Sequence, residues 1–318
     1  MCRKIKILFY IIIIFTFLIL CRLFYVADTS QHPVGYQGDV PVYLISYAGG
    51  PEIYKQNQAG LVQSALNKGF SHFINYRQQH LSSDFKKENK AILSLKKGAG
   101  YWLWKPWVIL HTLENAPENA VVVYADSGFV FKKHVQPLID LAKKHNILLI
   151  EYDDVETYGT IQDKVQRKTL DLMGADTEGM RKKTLLWAAF GVFKNTPQTR
   201  DFVRNWLKNS QDKEKLTETS DPNLKEYPGF KGHCHDQAIL SVLAHQNEES
   251  VYLYPDSQFN GGFVTWHHRS NRANGKNQHV SLVPSMEPLL SMRYVRWVVR
   301  TFLEYLTMPI KFMNKVID

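Results

Sequence analysis

From residue 40 onward one pattern recurs, and it leaves few folds open. A short apolar run closes on glycine or an acidic residue, apolar residues then follow at helical spacing, and another apolar run begins. Residues 40–48 (VPVYLISYA) predict a buried strand bounded by Gly49 and Gly50. Residues 52–68 then carry Ile53, Leu61, Val62, Ala65 and Leu66 at helix spacing, and residues 70–76 predict a second strand. After a polar stretch come a helix over 106–115, a strand over 120–125 (AVVVYA), a helix over 135–144 and a strand over 147–150. A helix near 161–173, an apolar stretch over 185–193, helices over 197–209 and 236–245 and a strand over 251–254 complete the series. Such alternation implies an α/β fold, a mostly parallel sheet with helices on both faces. Residues 210–232, polar and containing Pro222, Pro228 and Gly229, read as a loop or mobile flap.

Composition narrows the function classes. The 318 residues are 44% hydrophobic and 22% charged, which suits a substantial core and excludes a disordered or fibrous chain. Lys and Arg number 39 against 30 Asp and Glu, a formal charge of +9, so an anionic partner is expected. That charge is dispersed and no nucleic-acid motif organises it, so nucleic acid is set aside. Aromatics at 13% fit aromatic-lined clefts. Cys2, Cys21 and Cys234 cannot form a disulfide scaffold.

The N-terminus reads as a membrane anchor. Residues 7–20 are apolar except for Thr16, and the run continues to residue 27 with Cys21 and Arg22 interrupting. Spanning about 30 Å of hydrocarbon takes about 20 helical residues, so residues 7–27 suffice if Arg22 snorkels. Arg3, Lys4 and Lys6 place residues 1–6 in the cytosol, giving a type II signal-anchor. A cleaved signal peptide is the competing reading, and the sequence before Asp28 lacks its small-x-small pattern. Residues 28–39 would form a stem, 40–288 the globular domain and 289–318 an amphipathic helix. On that last helix Arg293, Arg296 and Arg300 share one face, which suits packing on the domain or contact with an anionic lipid surface.

Four stretches carry possible chemistry. In residues 121–131 (VVVYADSGFVF) a strand ends at Asp126, followed by Ser127 and Gly128. A carboxylate at the carboxyl end of a parallel strand faces a ligand cleft, although Asp, Ser and Gly are also ordinary turn formers. Residues 98–110 (GAGYWLWKPWVIL) set Lys105 among aromatics just before Pro106, where a cation beside a helix start suits a phosphate; a core-facing aromatic plug is the alternative. Residues 232–240 (GHCHDQAIL) place Asp236 at a helix start, as a cap or a reactive carboxylate, while adjacent His233, Cys234 and His235 lack zinc-site spacing. Residues 259–272 (FNGGFVTWHHRSNR) offer Gly261, Gly262, His267, His268 and Arg269, as site lining or as a basic surface loop.

In order, these stretches resemble the nucleotide-sugar glycosyltransferases of the GT-A fold, over about residues 40–272. The resemblance implies a mixed, mostly parallel Rossmann-like sheet whose first strand meets the donor nucleotide and whose central strand ends in an Asp-x-Asp motif. Asp126 matches the first Asp, and Gly128 replaces the second, usually the principal metal ligand. A divalent metal, Mn or Mg, held by Asp126, His267 and His268 is thereby placed in doubt, with Lys105 and Arg269 expected to neutralise the diphosphate. Residues 185–195 (LLWAAFGVFKN) look like the segment facing donor sugar and acceptor, and His235-Asp236-Gln237 resembles the step where a carboxylate nears the reacting sugar. The implied donor-binding set is Ser46, Tyr47, Trp104, Lys105, Asp126, Ser127, Gly191, Gln237 and Arg269, with Asp236 catalytic. The partners implied are a nucleotide-diphosphate sugar and a glycan, protein or lipid acceptor.

With the membrane topology, that reading suits a Golgi-type lumen. No Asn-x-Ser/Thr sequon occurs, so a bacterial membrane enzyme with a cytosolic domain is the alternative. Two other functions fit parts of the sequence: a metal-dependent hydrolase built on Asp126, His233, His235 and His267, and a non-catalytic sugar- or nucleotide-binding relic.

Overall fold

The computed structural model describes Ser30 and Gln31, residues 40–219, 221, 223–259 and 262–266. The expected anchor, His267, His268, Arg269 and the expected tail helix lie outside the described residues. Among the described residues no helix is long and apolar enough to cross a membrane.

Along the chain the strands are β1 (Ser30–Gln31), β2 (Val42–Tyr47), β3 (His72–Tyr76), β4 (Val121–Ala125), β5 (Phe129–Phe131), β6 (Ile147–Glu151), β7 (Leu186–Lys194), β8 (Val251–Pro255) and β9 (Val264–Trp266). The longer helices are α1 (Glu52–Ala65), α2 (Trp104–Asn115), α3 (Gln136–His145), α4 (Pro197–Ser210) and α5 (Asp236–Gln246). The main sheet has the order β1-β3-β2-β4-β7-β6-β8, and β5 pairs with β9 in a separate two-stranded sheet.

Strands β3, β2 and β4 are parallel, as are β6 and β8, and β7 runs against both β4 and β6. The expected mostly parallel sheet is therefore present with one reversed central strand. Its reversal has a local cause. After β6 the chain stays at the same sheet edge through short helices at Val155–Tyr158, Ile161–Lys164, Arg167–Leu172 and Glu178–Arg181, so it re-enters from that edge and must run back. The single helix expected near 161–173 is broken at Val165, whose backbone is extended, because the next N–H, that of Gln166, donates to His233 Nδ1.

β4 shows why its sequence lacks a polar alternate. Val121, Val123 and Ala125 join the core under α1 and α3 with Leu61, Val62, Leu138 and Ile139. Val122 and Tyr124 join the opposite core with Leu103, Ile109, Leu113, Val203 and Trp206 under α2 and α4. A strand covered on both faces needs apolar residues throughout. Each fully buried Val or Leu contributes roughly 1.5–3 kcal/mol, so these two layers hold the end of β4 in place.

Two expectations change. Gly191 does not face a ligand: it lies inside β7 opposite Tyr124, and a Cβ there would stand 2.8 Å from the Phe193 ring, so the glycine makes room for core packing. Residues 210–232 are not a free flap. Their described residues include a helical turn at Lys213–Leu216 and two tethers: Gln166 Nε2 donates to Thr219 O at 3.0 Å and Gln162 Nε2 to Pro228 O at 3.1 Å. Tyr227 is flanked by the guanidinium groups of Arg167 and Arg181, 4.8 and 4.5 Å from its ring centre, while its hydroxyl donates to Asp176 at 2.8 Å.

Candidate active site

Three chain segments converge at the carboxyl edge of β4. Asp126 follows the strand directly, its N–H bonded to Ala189 O of β7 at 2.8 Å. Lys105 lies in the first turn of α2, and Asp236 opens α5. Lys105 Nζ is 2.9 Å from Asp236 Oδ2 and 3.6 Å from Asp126 Oδ1. The shorter contact is an ion pair whose angle departs from that of a well-formed hydrogen bond. Tyr124, pointing to the same face of the sheet, donates its hydroxyl to Asp126 Oδ1 at 2.5 Å.

A cation at a helix N-terminus opposes the helix dipole, and Lys105 is only 3% exposed. Two carboxylates resolve that conflict. Burial alone would lower the Lys105 pKa, and the charges of Asp126 and Asp236 more than offset it, so the net shift is upward. Asp236 is pushed up to about 6, by burial first, with Lys105 opposing. Tyr124 is held well above its ordinary range by burial and by Asp126, so its hydroxyl stays a donor.

The three charged groups differ in access. The Asp126 side chain is 25% exposed, against 4% for Lys105 and 5% for Asp236. Two expectations are corrected by this burial. Asp236, expected to meet the reacting sugar, is buried and paired with Lys105. Lys105, expected to neutralise a phosphate, is sealed and already paired.

The remaining expected site residues divide similarly. Tyr47 and Trp104 stack on each other with ring centres 3.9 Å apart, and both are buried, so they wall the site from behind. Burial lifts Tyr47 to about 12 despite the opposing charge of Arg77, leaving the phenol neutral. Ser46 is buried, its Oγ without a partner. Ser127 is buried in the turn behind Asp126. Gln237 spends its amide on Leu186 O at 2.8 Å, fixing α5 to the start of β7.

His233 and His235 do not form the metal cluster that the hydrolase reading requires. His233 Nδ1 accepts from the Gln166 N–H at 3.3 Å and its Nε2 lies 2.9 Å from Lys215 O; burial, then His235, depress its pKa to about 3, so the ring is neutral. His235 Nδ1 lies 2.9 Å from Leu216 O, and its ring stacks on Trp102. Among the described residues no group of three His, Cys, Asp or Glu side chains is placed to hold a metal ion. Asp126 Oδ1 already meets Tyr124 and Lys105, and Gly128 supplies no second ligand. Of the three expected metal ligands only Asp126 is among the described residues; His267 and His268 lie outside them.

Sequence reading missed the conformation of residues 98–102. Gly98, Ala99, Gly100, Tyr101 and Trp102 all have positive φ, between 52° and 99°. Non-glycine residues there are disfavoured by roughly 1–2 kcal/mol each, so the turn persists only because its contacts over-determine it. Trp104 Nε1 donates to Gly98 O at 2.9 Å, and Glu218 gathers the Lys97 ammonium and, at 3.2 Å, the Tyr101 hydroxyl. Gly100 has φ +99°, and a Cβ there would stand 2.8 Å from Leu93 Cα. Gly100→Ala should thus destabilise the protein by roughly 1–3 kcal/mol, read from urea unfolding; an unchanged midpoint would show that this turn tolerates a side chain.

Sequence reading also missed a cationic cleft. It opens beyond the ends of β2 and β3, measures about 630 Å³, and is lined by Gly49, Gly50, Lys55, Arg77, Gln79 and Lys86, among others. A usable signal existed: Arg77 follows its strand directly, just as Asp126 does.

Fold and site together define an α/β protein with a buried Asp–Lys–Asp constellation at the carboxyl edge of a mostly parallel sheet. No family model matches the chain, and no curated protein matches it. Solved structures do. Mouse xyloside xylosyltransferase 1 in its apo form matches with TM-score 0.40 and 11% identity, over 68% of this chain and 85% of that one. The apo bifunctional glycosyltransferase WbbM matches with TM-score 0.41 and 12% identity, over 70% of this chain and 40% of that one. A glycosyltransferase involved in glycosylation of the major capsid of PBCV-1 matches with TM-score 0.39 and 10% identity, over 73% and 95%. All three are glycosyltransferases at low identity; the functional reading rests on the site's own residues.

Proposed function

We propose that this chain transfers a sugar from a nucleotide-diphosphate donor to a hydroxyl of a glycan, protein or lipid acceptor. The observation that carries the reading is the Asp126–Lys105–Asp236 constellation at the strand edge, in which Asp126 alone is partly exposed. Glycosyl transfer needs a carboxylate that meets a substrate hydroxyl and a fixed surrounding that holds it in place. Asp126 supplies the first. Lys105 and Tyr124 supply the second, and Asp236 anchors Lys105. The tied-down segment over 210–232 keeps the mouth of α5 rigid, so the carboxylates do not have to be reorganised during reaction. The anchor expected over residues 7–27 would hold this domain at a membrane, where lipid-linked or secretory acceptors are presented.

Titration of Asp236 gives the reading a pH signature. Above about 6 it is ionised and holds Lys105; below, it protonates and Lys105 is left to Asp126 alone. The rate should fall as pH drops through about 6, and this limb should vanish in Asp236→Asn, which should be slow and flat across the same range. A wild-type rate constant from pH 5 to 8 would detach Asp236 from the mechanism. The direct test is a donor screen scoring nucleotide-diphosphate release with and without an acceptor, in chelator and in manganese. Release that needs an acceptor supports transfer; release without one supports hydrolysis; tight binding without release supports a binding relic.

A further inference from the structure

The charges in the triad are already spent on one another, so the growing charge of a leaving diphosphate must be met elsewhere. The cationic cleft opens at the ends of the neighbouring strands β2 and β3: Arg77 follows Tyr76, the register partner of Tyr47, and Tyr47 stacks on Trp104, the neighbour of Lys105. Three cations line the cleft; Lys55 is paired with Glu52 at 2.7 Å on the exposed surface, and Asp84 and Glu88 flank Lys86 in sequence. Arg77 is half-buried, yet among the described residues its guanidinium donates only to neutral acceptors, the side-chain oxygen of buried Gln58 and, at 3.0 Å, Tyr76 O, while Glu52 acts on it without a hydrogen bond. Among the described residues Lys86 makes no ion pair. A half-buried cation with neutral partners is stabilised strongly by an incoming anion.

The backbone adds to this. β2 runs through Gly49, Gly50 and Pro51 into the 14-residue α1; the Tyr54 N–H donates to Pro51 O at 3.1 Å, and with no side-chain cap at Pro51 the N–H groups of Glu52 and Ile53 can meet another acceptor. Gly50 has φ +80°, and nothing lies within 4 Å of where its Cβ would be, so a ligand can approach the chain closely there. A strand, a glycine pair and an uncapped helix N-terminus form an anion cradle.

We propose that this cleft binds a diphosphate group through Lys55, Arg77, Lys86 and the Gly49–Gly50 backbone, so that fixed cations on the β2–β3 side, rather than Lys105, receive the leaving group. The assignment of that diphosphate to a nucleotide sugar rests on the function proposed above; the anion site itself does not.

The test is isothermal titration of the full chain with inorganic pyrophosphate in chelator. Pyrophosphate should bind, and Arg77→Gln and Lys86→Gln should each weaken it by about tenfold, the loss of one charged hydrogen bond. Arg77→Lys should recover part of the affinity, and Lys194→Gln, at the opposite end of β7, should bind like wild type. Lys86 is on the surface, so its variant remains informative if Arg77→Gln fails to fold. Wild-type affinity in Lys86→Gln and Arg77→Gln, or binding that appears only with manganese, overturns the proposal. If a sugar donor is turned over with unchanged KM by Lys86→Gln, the anion site falls and the transferase stands. If pyrophosphate binds through Arg77 and Lys86 but no nucleotide sugar reacts, the site stands and the transferase falls.

Discussion

Lys105→Met should unfold at markedly lower denaturant than wild type at pH 8, by about 3–5 kcal/mol, and should lose essentially all turnover. The large effect comes from what remains: Asp236, buried and with its Oδ2 otherwise without a hydrogen-bond partner, and Asp126, both facing a space that no longer holds a cation. Methionine fills the volume, so the loss isolates charge from packing. The pH dependence has a definite sign. Asp236 has a folded-state pKa of about 6, above its ordinary 3.8, so its contribution to stability is fully present below 3.8 and fades as pH rises through about 6. In the variant the cation opposing that upward shift is gone, so the fade becomes steeper. Lys105→Met should therefore differ less from wild type at pH 4.5 than at pH 8. An equal deficit at both values would mean that the ion pairs contribute nothing specific.

Asp126→Asn should reduce transfer by roughly 10²–10⁴-fold while leaving the unfolding midpoint close to that of wild type. The amide keeps an oxygen to accept from Tyr124 and Lys105, and it removes the one open carboxylate of the site. Asp126→Ala should be equally inactive but also less stable, by roughly 1–3 kcal/mol, because the buried Tyr124 hydroxyl loses its acceptor. A strand-end residue thus contributes more to folding than its position in a cleft suggests. Near-normal turnover by Asp126→Asn would remove Asp126 from the mechanism.

The elements that the sequence made legible share a physical basis. Apolar runs such as AVVVYA and the helical spacing of Leu61, Val62 and Ala65 report burial directly, and burial is local in register: β2, β3, β4 and α1 to α5 appear within a few residues of expectation. Asp126 was legible for a related reason, since a hydrophobic strand that stops at a carboxylate must place it at the sheet edge. Arg77 obeys the same rule at the end of β3 and was passed over because no motif drew attention to it. The small β5–β9 sheet was not legible either, because its two strands are three residues each and lie far apart in sequence.

What the sequence determined by itself is the two-sided α/β sandwich and the presence of a carboxylate at the end of its central strand, because hydrophobic periodicity is a property of neighbours along the chain. What only the tertiary structure decided is how charge is distributed across residues that are far apart in that chain. Lys105, Asp126 and Asp236 meet through two helix N-termini and a strand end, and their separation sets which carboxylate is sealed, which is open, and that the lysine is already spoken for. The reversal of β7, the left-handed turn at residues 98–102 and the cationic cleft likewise depend on where the chain re-enters the sheet and on what packs against it. Coulomb energies and desolvation vary with distance and burial through space, and neither quantity is written in residue order.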